Sequence, residues 1–544
     1  MELRDSEDIT QLPLDLYLPI LEHIPDKSVL AKLCLVDRLF LELAREKLYE
    51  FVWVRPWEPG ADPKFRLLFR TLNENAEVAE LVRKIDVRYY PLAAGIIQWE
   101  DICAGALKNM KNLESVTWTR NRTLRSSMLD ALATLPRLSK LEINGNSKWS
   151  YDPVLLNNLD RLQELRIVLP DRRVAENLKE LVKLRAAATK TATTNSGNVT
   201  QPGGLRVLEL ISQDSRWIDD GLLHDLAPYL GGLEVFKLWG CAHVGPRGYF
   251  EVIRSAQGTL RELALEGVGP GDDHDLLDED LYLERESPLT LDVRLPRLAH
   301  LSASEQTFHR LTLADKSRQE QADVFAAIRG AFPPRGPRGP GDTSEGLDWS
   351  TVRRNGVYPH LGEHSFLPPT LSAIQISGNK DGPVMPGDTA SHLVAAAAEM
   401  DLATIAERLP GLDTLMLRMS DSRKEPKWIA SHLARMHDLR VFHLQTSERR
   451  PEEEVYTMAD LELLAQGCGE KLEQIGWANR VYHVRRRRVL GDREEGTQFL
   501  RQGWRHESEE WQKRADLAER DEVYLEPWQA GTGSIPEIFQ VWRA

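Results

Sequence analysis

The sequence predicts an α/β protein: a small, mainly helical N-terminal module followed by a long array of repeated helix-turn-strand units. Three observations predict it. The pattern LxxLxL recurs down most of the chain, helix-like stretches precede many of its copies, and the first fifty residues space their apolar side chains as helices do.

The N-terminal module comes first. Leu12, Leu16, Ile20, Leu21 and Ile24, then Val29, Leu30, Leu33 and Val36, then Phe40, Leu43 and Leu48 fall into three short helical segments. Pro25-Asp26 separates the first helix from the second, and Ser28 is the expected N-cap because its hydroxyl can accept a free N–H of the first turn. Taken alone, such a unit could equally be a helical cap over the open end of a repeat array.

The repeats follow. Copies start at Leu113, Leu138, Leu162, Leu205, Leu233, Leu260, Leu298, Leu371, Leu412, Leu439 and Leu472, with a weaker one at Val82. In each, the positions three and five residues after the start are apolar, as in Val116 and Trp118 or Leu141 and Ile143. That alternation puts both on one face of a short strand. Helical stretches such as Met128 to Leu135, Leu222 to Leu230, Leu402 to Leu409 and Ile429 to Met436 lie before copies. The intervening position of each strand points to the other face. There stand Thr117, Glu142, Arg166, Glu209, Lys237, Ala264, Gln375, Met416 and His443, the candidate binding residues of the array.

Gaps between copies mark three expected insertions, near residues 171–204, 267–295 and 308–368. The first contains Lys190-Thr-Ala-Thr-Thr-Asn-Ser-Gly-Asn and the third Pro333-Pro-Arg-Gly-Pro-Arg-Gly-Pro-Gly, compositions that bury little. Each is either a mobile loop or a recognition loop. After the last copy, the run Arg485 to Arg488 reads as a solvated charged face, a nuclear localisation signal or a contact for an acidic partner. The expected domains are thus 1–55 (helical module), 56–110 (linker helices and a first degenerate repeat), 111–480 (repeat array) and 481–544 (C-terminal cap or tail). Trp504, Trp511, Trp528 and Trp542 are expected to pack in that last segment.

At 544 residues the chain exceeds what one compact core usually serves, which suits an elongated array. A net charge of -14 argues against nucleic acid or an anionic membrane as partner, because phosphates need a basic footprint. The four cysteines, Cys34, Cys103, Cys241 and Cys468, form no CxxC pair, so neither a disulfide framework nor a zinc module is expected and a reducing compartment, cytoplasmic or nuclear, fits best. The acidic start does not resemble a signal peptide, and no apolar run is long enough for a membrane span. The sequons at Asn121 and Asn198 are therefore expected to stay unmodified.

The sequence holds no GxxxxGK[ST], HExxH or GxSxG motif. The glycine cluster at Gly267 is followed by acidic residues that repel phosphate, and the acidic run after Gly271 lacks the glycine and spacing of a calcium loop. His360 and His364 stand at i, i+4, but Pro359, Gly362 and Pro368 disfavour the helix that would make them a zinc pair. No catalytic residue, metal or cofactor is expected.

Two family resemblances follow. Leu12-Pro13, Ile20-Leu21, Ile24, Val29-Leu30, Leu33 and the stretch Leu35-Val36-Asp37-Arg38 resemble an F-box, with Phe40 where that family usually has tryptophan. The 24 to 28 residues between closely spaced copies, and the pattern itself, resemble a leucine-rich repeat. That second resemblance implies a solenoid with a curved parallel sheet inside and helices outside. It also implies an Asn or Cys three residues after the last strand position, bonding turn backbone; Asn121, Asn146, Cys241 and Asn379 occupy it. Together they imply a substrate-recognition subunit of an SCF-type (cullin-RING) ubiquitin ligase. Leu12, Pro13, Ile20, Leu21, Val29, Leu30 and Val36 would contact a Skp-type adaptor, and through it cullin and RING subunits, or support that contact; the strand row would bind an unidentified protein substrate. The rivals are a ligase-independent scaffold that sequesters a partner, and a hydrolase on an unrecognised α/β fold.

Overall fold

The computed structural model describes residues 14–24, 26–56, 60–91, 96–195, 204–212, 216–269, 295–304, 371–377, 402, 405–406, 409–419, 426–446, 457–477, 480–490 and 519–527. It is an α/β protein. The chain divides into two compact units, residues 1–260 with 268–274 and residues 261–267 with 275–544.

The first unit opens with α1 (Leu14–Glu22), α2 (Lys27–Leu33) and α3 (Arg38–Glu50). Leu21, Leu30 and Ala44 form their core, with Ile24, Leu33, Leu43 and Leu48 packed around it. Asp26, rather than the expected Ser28, caps α2. Its carboxylate accepts from Ser28 N at 2.8 Å and from the Ser28 hydroxyl at 2.9 Å, a stronger acceptor placed two residues earlier in the turn.

The chain runs directly from α3 into β1 (Phe51–Val54), so the sheet begins inside the segment expected to be wholly helical. It continues through β2 (Lys84–Val87), β3 (Ser115–Trp118), β4 (Lys140–Asn144), β5 (Glu164–Val168), β6 (Val207–Ile211) and β7 (Val235–Trp239). Each strand pairs in parallel with the one before it. Parallel neighbours need crossovers. These are α4 (Ala61–Glu74) with the short α5 (Ala76–Ala79), α6 (Ile96–Asn109), α7 (Ser126–Ala133), a 3-10 segment (Pro153–Asn158), α8 (Arg172–Asn195) and α9 (Asp220–Leu226); α10 (Pro246–Ala256) follows β7. Successive crossovers touch one another in chain order.

The repeat pattern carries the packing. All eleven leucines that start the copies are buried, as are the following apolar positions whose side chains are described. Phe69 of α4 meets Trp118 of β3 ring to ring, which places this helix on the apolar face. Burial of each such side chain stabilises the fold by roughly 1.5–3 kcal/mol. The residue just after the starting leucine turns its carbonyl toward the next copy: Glu114 O accepts from Ser139 N and Lys140 N, Ser139 O from Gln163 N and Glu164 N, and Gln163 O from Arg206 N and Val207 N. Each bend therefore satisfies the backbone of its neighbour without side-chain help.

The second unit repeats this arrangement with β8 (Glu262–Glu266), β9 (His300–Ser304), β10 (Ala373–Ser377), β11 (Thr414–Met419), β12 (Val441–Thr446) and β13 (Gln474–Trp477), parallel in chain order. Here α11 (Pro426–Leu433) and α12 (Met458–Gly467) precede β12 and β13. Two antiparallel strands follow, β14 (Arg480–Leu490) against β13 and β15 (Glu519–Pro527) against β14.

Three expectations need correction. Residues 172–195 form helix α8 rather than a loop, because Val174, Ala175, Leu178, Leu181 and Val182 recur at helical spacing and are buried. The basic run is part of β14, and Arg486 is committed to structure: its guanidinium donates to the carbonyls of Gly469, Glu470 and Leu472 at 2.8–2.9 Å. Among the described turn residues, only Cys241 acts as expected, buried with its thiol toward Leu210 O at 3.6 Å. Asn121 is exposed, and Asn146 is half-buried; the bond to the preceding turn comes from Asn144 Nδ2, which donates to Thr119 O at 3.1 Å. Asn379, residues 270–294 of the insertion expected near 267–295, the insertion expected near 308–368, His360, His364 and the four C-terminal tryptophans lie outside the described residues.

Candidate docking surfaces

The helical module separates its apolar residues into two sets. Leu21 and Leu30 are core, so they support a surface rather than form it. Ile20, Val29 and Val36 are exposed, the last at 63%, and Leu16, Leu18, Leu35 and Leu41 are exposed with them. Leu35, at 86%, is the most exposed large apolar side chain among the described residues. It sits with Val36 in the turn between α2 and α3, where neither can reach the module core. A concentration of this kind on a small unit marks an interaction surface. Leu12 and Pro13 lie outside the described residues.

The second surface is the polar row of the sheet. Strand register brings Trp53, Asp86, Thr117, Glu142, Arg166, Glu209 and Lys237 side by side in the first unit. In the second unit the row is Ala264, Ser302, Gln375, Met416, His443 and Gly476. All the residues expected from sequence are thus brought into rows, and Trp53, Asp86, Ser302 and Gly476 join them.

The two rows differ in chemistry. The first is charged and compensated from within: Thr117 Oγ1 donates to Glu142 Oε2 at 3.2 Å, Arg166 Nε stands 3.2 Å from the buried Glu209 carboxylate, and Asp86 pairs with Arg88 at 3.0 Å and Arg55 at 3.7 Å. At its start Trp53 lies under Lys27 of α2, whose ammonium is 4.0 Å from the ring centroid and donates to Leu48 O at 3.1 Å and to Phe51 O. These contacts tie the helical module to the first strand. The second row is small or apolar at its described positions, apart from His443. Burial lowers the pKa of that imidazole to about 4, so it is neutral at physiological pH.

Among the described residues no group of three His, Cys, Asp or Glu side chains could hold a metal ion, and no helix is long and apolar enough to cross a membrane. The Cys241 thiol is pushed up to about 12 by burial, which leaves it without nucleophilic character. No family model and no curated protein sequence matches this chain.

Proposed function

We propose that this chain is the substrate-recognition subunit of an SCF-type ubiquitin ligase, with the helical module docked on a Skp-type adaptor and the strand rows facing a protein substrate. The exposed apolar set Leu16, Leu18, Ile20, Val29, Leu35 and Val36 carries this reading, because a module of this size leaves it uncovered unless a partner buries it. In keeping with the F-box resemblance, Ile20, Val29 and Val36 belong to that set while Leu21 and Leu30 hold it in place.

The architecture proposed for the array is a leucine-rich-repeat solenoid. Strand pairing in chain order within each unit, crossovers that touch in chain order, and the carbonyl shared between consecutive bends all support it. In this role the chain makes and breaks no covalent bond. It holds substrate near a ubiquitin-conjugating enzyme, and the rate gain is one of proximity. Its place of action on this reading is the cytoplasm or the nucleus.

Co-purification of the full chain with the Skp-type adaptor tests the proposal, beside a Leu35→Asp, Val36→Asp variant. Both positions are exposed, so the variant keeps its fold by circular dichroism. Adaptor held by the parent and lost by the variant supports the ligase subunit. Failure of the parent to bind sinks it and leaves the scaffold reading.

A further inference from the structure

Three loops of the first unit, 119–125 after β3, 145–152 after β4 and 169–171 after β5, are bonded into one surface. Arg125 Nη1 donates to Trp149 O at 2.8 Å, and Asp152 N to Ser126 Oγ at 3.0 Å. The Asp171 carboxylate accepts from Ser147 N, the Ser147 hydroxyl and Lys148 N at 2.7–3.1 Å.

Each loop holds one non-glycine residue in the left-handed region: Arg122 (φ 61), Trp149 (φ 66) and Leu169 (φ 54). For an L side chain this costs about 1–2 kcal/mol. Trp149 does not offset that cost by packing, since it is 82% exposed. Nor is it loose. Ser150 N and Tyr151 N both bond Ser147 O, and the buried Tyr151 hydroxyl donates to Asn144 O at 3.0 Å. The loop is over-determined and presents an indole to solvent, an arrangement that lowers the ordering cost of binding.

The charges around Trp149 are unbalanced. Among the described residues, Asp152 pairs with Arg173, Glu100 with Arg125 and Glu176 with Arg172, while Asp171 is spent on the loop N–H groups. Arg120, Arg122 and Lys148 are exposed, and no carboxylate among the described residues lies at ion-pair distance from them. A cationic, aromatic patch thus stands on a chain of net charge -14, beside a strand row that neutralises itself.

We propose that this loop surface docks an acidic segment of the protein substrate, with an apolar side chain of that segment on Trp149 and its carboxylates on Arg120, Arg122 and Lys148. Tryptophan and arginine are the residues that dominate binding energy at such contacts. Three uncompensated cations flanked by carboxylates suit a short acidic peptide better than a phosphate backbone, which needs a longer basic track. The proposal rests on the recognition-subunit reading for calling that segment a substrate.

The test is selection of random dodecapeptides displayed on phage against the full chain, followed by anisotropy titration of the selected, fluorescently labelled peptides. The expected peptides are rich in Asp and Glu around an aromatic or aliphatic residue. Trp149→Ala, and separately Arg122→Glu with Lys148→Glu, weaken their binding about tenfold or more. Arg137→Glu, an exposed change in a turn before β4, leaves it intact. Selected peptides without acidic enrichment, equal binding by Trp149→Ala, or displacement by a single-stranded oligonucleotide at lower concentration than by unlabelled peptide would each overturn the proposal. Adaptor co-purification from the same preparations separates the two readings: both loop variants retain the adaptor, and a parent that binds acidic peptide but no adaptor defeats the ligase reading alone.

Discussion

The imidazole of His443 fills the space over Gly476, its register partner on the next strand; a Cβ built on Gly476 would lie 2.5 Å from His443 Cγ. Glycine is required here for close approach, not for backbone freedom. Gly476→Ala is expected to destabilise the β12–β13 pair by about 1–3 kcal/mol through overpacking. Hydrogen exchange of peptides from both strands will read this as faster opening, and His443→Ala in the same chain will restore part of the protection.

His443 also sets a pH dependence. Its pKa falls from 6.5 in the unfolded chain to about 4 in the fold, because burial penalises the imidazolium. Gln474 Nε2 lies 3.2 Å from His443 Nε2, so the amide can donate only while that ring nitrogen is unprotonated. The unfolded state binds the proton first. Stability contributed by the neutral ring is complete above about pH 6.5 and is lost as pH falls through about 4, by at most about 3 kcal/mol. Local exchange in β12 from pH 7 to pH 4, corrected for intrinsic rates, should accelerate in the parent and much less in His443→Leu.

Arg185 acts as a buried brace for the first unit. Its guanidinium donates to Leu159 O at 2.6 Å and Asn157 O at 2.9 Å, with Asp160 at 3.2 Å. Arg185→Ala strips charged donors from two carbonyls and removes the packed stem, an expected loss of about 3 kcal/mol or more. Arg185→Met restores the stem alone and should recover less than half of it. Urea unfolding of the three chains compares them.

Much of this fold was legible because a repeated unit repeats its constraints. The leucine that starts each copy, and the apolar positions three and five residues later, recur often enough to outweigh chance, and those whose side chains are described proved to be buried from β3 to β13. Strand β1 escaped because Tyr49, Val52 and Val54 carry the same spacing without a leucine, at the end of a helix whose own pattern overlaps it. Helix α8 was hidden by its polar Thr-rich end, although Val174, Leu178 and Leu181 already showed the period. The polar row could be read from alternation alone. Its internal pairing could not, since whether Arg166 neutralises Glu209 depends on strands offset by 43 residues being adjacent, as Glu164↔Val207 to Val168↔Ile211 make them. Trp149 gave no signal, because a left-handed backbone would be expected at Gly145 or Asn146 of the same loop and not at a bulky tryptophan.

Thiol reactivity should follow burial. Cys241 and Cys468 are pushed up to about 12, Cys103 is raised further, and all three are buried; Cys34 is only half-buried and less strongly raised. In native chain at pH 8, Ellman's reagent is expected to modify Cys34 first, with the other three reacting at the rate of local unfolding. Mass mapping of the labelled sites checks the order.

Arg486 closes the turn ahead of β13 by bonding three carbonyls with one planar fork, those of Gly469, Glu470 and Leu472. An ammonium cannot reproduce that spread from a single point, so Arg486→Lys should fail where charge alone would suffice. Cys468 adds a local reporter, because the Arg486 charge lowers its thiol pKa against the larger effect of burial. Removing the guanidinium therefore acts on Cys468 in two directions: it raises the intrinsic pKa, which slows labelling, and it loosens the turn, which exposes the sulfur. If the carbonyl contacts hold the turn shut, opening dominates and Arg486→Ala speeds both Cys468 labelling and amide exchange over residues 469–477. If Arg486 is only a surface charge, labelling slows and exchange stays as in the parent, whereas Arg485→Lys, which keeps its charge at the exposed neighbouring position, should leave both labelling and exchange as in the parent.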